Sequence, residues 1–243
     1  MNSIVTRDPR TFGGGGAGIP SQPGGGGDGR GRGGSPDYGD RLRRARLGLA
    51  VGITPVIMLF VSFTSAYIVR QGLPILDAQD KYVHDWLPVN LPWLLLFVNT
   101  CVLMVSSLTM ELARRQITRE AALAPVRSIP GVSLGNERTF PWLGLTIFLG
   151  LAFLVGQYMA WVELGARGFF LATSASSSFV YLLTGMHAIH LAGGVIALLC
   201  AGITALRHKP VEARRIVVDI TAWYWHFMAV LWIYIFALLE FAR

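Results

Sequence analysis

Five long apolar runs, almost free of charge, set the terms for any structure this chain can adopt. They fall at residues 47–69, 91–112, 140–162, 179–206 and 220–241, and together they take up nearly everything after residue 46. A bilayer's hydrocarbon core, about 30 Å thick, is crossed by roughly 20 apolar residues in helical form. Only helices and closed barrels satisfy their own backbone hydrogen bonds in lipid. Barrel strands would alternate polar and apolar residues over about ten positions, and these runs do not alternate. The fold class is therefore all-α: a polytopic membrane helix bundle of five transmembrane helices, with no room for a separate soluble domain. The fourth span lies in an uncharged stretch from Phe169 to Leu206, and the polar segment Ser174 to Ser178 is read as its approach.

The two ends of the chain differ in kind. Residues 1–40 carry Gly13 to Gly16, Gly24 to Gly27 and Gly33-Gly34 with few large apolar side chains. Such a segment buries too little surface to offset its ordering entropy, so it is predicted to be a disordered cytoplasmic tail ahead of a membrane domain at 41–243. It contains no apolar h-region of a cleaved signal, so the first span itself is expected to direct insertion.

Charge supplies the topology. The formal net charge of +7, against 53% hydrophobic and 14% charged residues, invites a nucleic-acid reading. The basic residues, however, cap the spans instead of forming a solvated patch, and no nucleic-acid partner is predicted. Seventeen of the 21 Lys and Arg lie before span one, between spans two and three, or between spans four and five. The positive-inside rule then puts the amino end in the cytoplasm and the carboxyl end outside. Trp86, Trp93, Trp142, Trp161 and Tyr82 cluster near span ends, as amphipathic rings do at membrane interfaces. Cys101 and Cys200, each alone in an apolar run, are read as small core hydrophobes, not as a disulfide or a metal cage.

Polar groups inside a span are costly, which makes each a candidate for function. His187, His190 and His226 lie well inside their spans, while Glu111, Glu163, Asp219 and Glu240 lie near span ends. His187 and His190 are three apart and share a helix face. Imidazoles so spaced could ligate a metal, hydrogen-bond across the bundle or meet a lipid headgroup. A catalytic zinc wants three protein ligands, for which His226 is the remaining histidine. A two-heme membrane cytochrome needs four histidines on facing helices, and the spans hold three. The prediction is no catalytic, cofactor or metal site in this chain, with His187, His190, His226, Gln157 and Glu163 as polar anchors toward lipid or neighbouring helices. A complete proton path is not predicted, because no span carries a deeply placed carboxylate. Asn99, Ser106 and Ser107 in span two, and Gly185, Gly193 and Gly194 in span four, are read as helix-packing residues. Small side chains there would let another helix backbone approach closely.

Several of these pieces together resemble subunit III of the heme-copper cytochrome c oxidases. They are Met58-Leu59-Phe60 with Thr64 to Val69 in span one, and Asn99-Thr100, Ser106-Ser107 and Thr109 in span two. Gly156-Gln157-Tyr158 and Trp161 follow in span three, then Thr184-Gly185-Met186-His187-Ala188-Ile189-His190 with Gly194, and last Tyr224-Trp225-His226-Phe227 with Trp232. They occur in family order over residues 47 to 241, and the span count is similar to the short five-helix bacterial form. Two positions depart from the family pattern. Its buried Glu in the first shared helix is absent from Ile53-Thr54-Pro55-Val56-Ile57, and Met228-Ala229 stand where many members place an Asp. The resemblance implies a non-redox accessory subunit of a bacterial cytoplasmic-membrane terminal oxidase. Such a subunit packs on subunit I, associates with subunit II, holds structural phospholipids and supports proton uptake and complex stability, with heme and copper in the partner subunits. The motifs separate poorly from subunit III of a quinol oxidase or a nitric oxide reductase-associated protein. A small secondary transporter, expected to show internal repeats and broken helices, is the alternative from another class.

Overall fold

The computed structural model describes residues 36–76, 82–83, 86, 91–127, 141–171, 173–206 and 211–241. Five helices account for nearly all of them: α1 (Pro36–Gly72), α2 (Trp93–Arg127), α3 (Trp142–Ala166), α4 (Ala175–Leu206) and α5 (Val211–Phe241). All five contain a segment long and apolar enough to cross a membrane. The protein is a multi-pass membrane helix bundle. Between α1 and α2, β1 (Ile75–Leu76) pairs antiparallel with β2 (Tyr82–Val83). The predicted glycine-rich tail lies outside the described residues as far as position 35, and residues 36–40 already belong to α1.

The helices run past the predicted spans chiefly at the end of the bundle rich in Arg. There α1 gains Pro36 to Arg46, α2 continues from Ala113 to Arg127, and α5 begins at Val211. Hydropathy sees only the lipid-buried part of a helix, whereas Arg, Glu, Ala and Leu continue it into water with little loss of propensity. Of the serines before span four, Ser176 to Ser178 turn out helical and Ser174 caps them. Ser174 Oγ accepts the Ser177 N–H and Ser177 Oγ accepts the Ser174 N–H, both at 3.2 Å. This reciprocal capping box, with serine in the place usually held by Glu or Gln, starts α4 at Ala175. At the far end of α3 the chain leaves through Gly168, whose φ of +85° suits glycine. The Phe169 and Gly168 N–H groups return to the carbonyls of Leu164 and Gly165, which completes a Schellman motif.

Successive helices alternate in direction. Gly156 of α3 faces Asn99 of α2 while Thr146 pairs with Thr109. Trp161 meets Thr184, His187 meets Trp232, and Trp232 reaches back to Thr100. Helices α2, α3, α4 and α5 thus close a ring in chain order, and α1 packs outside it against α4 and α5. The core inside the ring holds Leu103, Met110, Phe153, Leu183, Leu191, Trp225 and Trp232, all essentially without exposure. Cys101 and Cys200 correct the sequence reading: both are free thiols on the exposed outer surface of the bundle, not core residues.

Candidate functional site

The polar side chains gather in three levels along the axis of the ring. At the basic end, Asp219 stands two turns before His226 on α5 and is 9% exposed. Arg46 of α1 donates to its Oδ2 through Nε at 3.1 Å and Nη2 at 2.8 Å, while Arg114 Nη1 of α2 donates to Oδ1 at 3.1 Å. Arg114 also donates to both oxygens of Glu111, at 2.8 and 3.1 Å, and Arg115 Nε donates at 2.9 Å. His226 closes the group: Nε2 lies 3.6 Å from Glu111 Oε2, and Nδ1 lies 2.7 Å from Ser107 Oγ. Two carboxylates are thus gripped by three guanidiniums from two helices, in charge-assisted bonds stronger than neutral ones. The His226 imidazole borders the cluster.

One level further in, Trp225 fills the space between α3 and α4. A Cβ at Gly150 would lie 2.7 Å from its ring, and one at Gly194 would lie 3.2 Å from the ring and 3.0 Å from Tyr224. Its Nε1 donates to Ser106 Oγ at 3.1 Å, and Ser106 in turn donates to the Thr146 carbonyl. The small residues of span four therefore admit aromatic rings, where the sequence reading expected a helix backbone. Gly185 likewise lies beside the Trp161 ring, whereas Gly193 faces outward with nothing within 4 Å.

The third level holds Asn99, Thr100, Gln157, His187 and Trp232. The His187 ring lies among aromatics, 5.8 Å from Phe153 and 5.0 Å from Trp232 between centroids, and Trp232 Nε1 donates to Thr100 Oγ1 at 2.9 Å. His190, three residues on, goes elsewhere. Its Nδ1 is 2.7 Å from the Met186 carbonyl and its ring meets Phe60 of α1 edge-on. Glu163 lies at the other end of α3, ion-paired with Arg167. The pair borders an open groove whose apolar wall comes from Leu91, Trp93, Leu94 and Val98.

The structure thus separates the three intramembrane histidines into three environments, and among the described residues no three His, Cys, Asp or Glu come together as a metal-binding group. It joins His226 to Ser107, and places Asn99, Gln157 and His187 in one layer. The grouping of Glu111 and Asp219 around His226 was not read from the sequence. The available signals were Asp219 seven residues ahead of His226 on one helix face, and Glu111 followed by Arg114 and Arg115 at helical spacing.

Comparison with known proteins covers the same ground. A sequence model of the family described as cytochrome c oxidase subunit III matches residues 42–242. The chain is 26% identical over 204 residues to the probable cytochrome c oxidase subunit 3 of Nocardia farcinica, covering 84% of this chain and 91% of that one. It is 27% identical over 204 residues to cytochrome c oxidase subunit 3 of Corynebacterium diphtheriae, with the same shares covered. A shorter match, 36% identical over 104 residues, joins it to the probable subunit 3 of Mycobacterium leprae and spans half of that relative's length and 42% of this chain.

Proposed function

The chain belongs to the cytochrome c oxidase subunit III family, and on that footing we propose that it is a non-redox accessory subunit of a heme-copper terminal oxidase. It packs on the catalytic subunit I, associates with subunit II, and leaves heme and copper to those partners. The observation that carries this reading is the extent of the family match, which takes in all five helices. With bacterial relatives and the basic residues at one end, the chain belongs in a bacterial cytoplasmic membrane with its amino end inside.

Two features support the finer roles. The groove beside Glu163 and Arg167 offers an apolar wall for an acyl chain and a paired acid and base for a zwitterionic headgroup, which fits a structural phospholipid. The cluster of Glu111, Asp219 and His226 sets two carboxylates and an imidazole at the cytoplasmic end, the side from which protons are taken up. It does so in a chain that lacks the carboxylates which the family pattern places in the first helix and after the Tyr-Trp-His-Phe motif.

Removal of this subunit from the assembled oxidase tests the proposal. The remaining complex is expected to keep its heme absorbance while its turnover decays sooner. Heme absorbance lost in proportion to this chain would place a cofactor here and overturn the accessory reading.

A further inference from the structure

Asn99, Gln157 and His187 are 4%, 1% and 0% exposed, and each keeps a buried polar atom without a protein partner: Asn99 Nδ2, Gln157 Oε1, and both ring nitrogens of His187. They come from three helices of the ring and lie in one layer. Asn99 lies against Gly156, the neighbour of Gln157. Phe153, one turn before Gln157, meets the His187 ring. Trp232 from the fourth helix contacts both of those rings, at 4.9 and 5.0 Å, and holds Thr100, the neighbour of Asn99. Gln157 lies 15 residues from the start of α3 and nine from its end, about 23 and 14 Å along a helix of 1.5 Å rise, which places the layer inside the bilayer core, nearer the end away from the arginines. Neither bulk water nor a lipid headgroup reaches that depth unaided.

A buried polar group left unpaired costs about 1–3 kcal/mol, and three in one layer would strain the stability of any bundle. Their chemistry is complementary: an amide NH2 donates, an amide carbonyl accepts, and a neutral imidazole does one of each. A cation fits such a set poorly, because no carboxylate offsets its charge and the NH2 group repels it. An anion is opposed by the carbonyl. Water gives two hydrogen bonds and takes two, and buried waters in proteins make about three bonds to groups of this kind. We propose that this layer is an internal water site, held by Asn99, Gln157 and His187 and roofed by Phe153 and Trp232. The water ties α2, α3 and α4 together inside the bilayer core, beside the direct Trp232–Thr100 bond that ties α5 to α2.

The test is water-selective magnetisation transfer in nuclear magnetic resonance. The sample is the full-length chain with ¹⁵N-labelled side chains in nanodiscs of deuterated phosphatidylcholine, read at mixing times shorter than proton exchange. Transfer from water to both the Asn99 NH2 and the His187 ring is expected, and its absence from either group overturns the shared site. Gln157→Met, similar in volume and without a carbonyl, is expected to weaken the transfer to both groups. Transfer that stays at full strength in this variant would remove Gln157 from the site. Should the variant fail to fold, the unsubstituted chain still decides the question.

Discussion

The indole of Trp225 can sit between α3 and α4 because Gly150 and Gly194 present no Cβ to it. At Gly150 an added methyl would meet the ring at 2.7 and 3.0 Å and Val195 at 3.3 Å. The ring is fully buried and has nowhere to move. Gly150→Ala is expected to destabilise the bundle by about 1–3 kcal/mol, the usual range for overpacking a filled core. Gly193→Ala, with open space around it, should be neutral or gain up to about 1 kcal/mol from helix propensity. Thermal unfolding in detergent checks both, and a Gly150→Ala protein as stable as the parent would show that the ring yields. Gly193 and Gly194 look alike in the sequence. What separates them is a rotation of about 100° between successive helix positions, which decides which one meets α5. His187 and His190 divide for the same reason. Spacing puts them on one broad face, but only the neighbouring helices determine that one ring enters the core while the other turns to α1.

Among the elements, α1 is held differently from the rest. It lies outside the ring, and its ties to α4 and α5 include Arg46 to Asp219, Arg215 over the Tyr38 ring, Phe60 against His190, Thr64 to Tyr234, and Tyr67 against Phe179. Asp219 is the buried partner in the first of these, and it also receives Arg114 from α2. Asp219→Ala is expected to cost about 1–3 kcal/mol, the range for losing charge-assisted hydrogen bonds. Arg46→Ala should stay within about 1 kcal/mol, because the Arg46 side chain is 50% exposed and exposed pairs contribute little. Hydrogen exchange of the Asp219 variant should rise in the first turns of α1 and leave mid-α3 unchanged. An equal rise in both would mean that the network braces the whole ring. The existence and order of the helices were legible in the sequence, because lipid demands long apolar runs and little else produces them. Their ends at the basic side were not, because hydropathy loses sight of a helix where charged residues carry it into water. The serine capping box at Ser174 shows the same limit in small: its polar side chains look like a boundary to be crossed before the helix, yet their hydrogen bonds begin the helix itself.

At the scale of the whole molecule, a closed four-helix ring with a fifth helix outside it leaves broad apolar surfaces. Val51, Met58, Val61 and Ile68 on α1, and Leu94, Val98 and Leu108 on α2, are all more than half exposed. Lipid covers such faces, and so do neighbouring subunits, so membrane residence was readable from composition while the partner was not. The motif order carried the family. The interior arrangement behind those motifs, with Trp225 wedged between glycines and His226 beside Glu111, required the packed helices to become visible. The central claim is that this chain works only as part of an oxidase, and purification through a tag on this chain in mild detergent tests it most directly. The account predicts that oxidase subunits I and II accompany it and that the preparation shows heme a absorbance. A chain that purifies alone without heme, or one that binds heme b by itself, would contradict it.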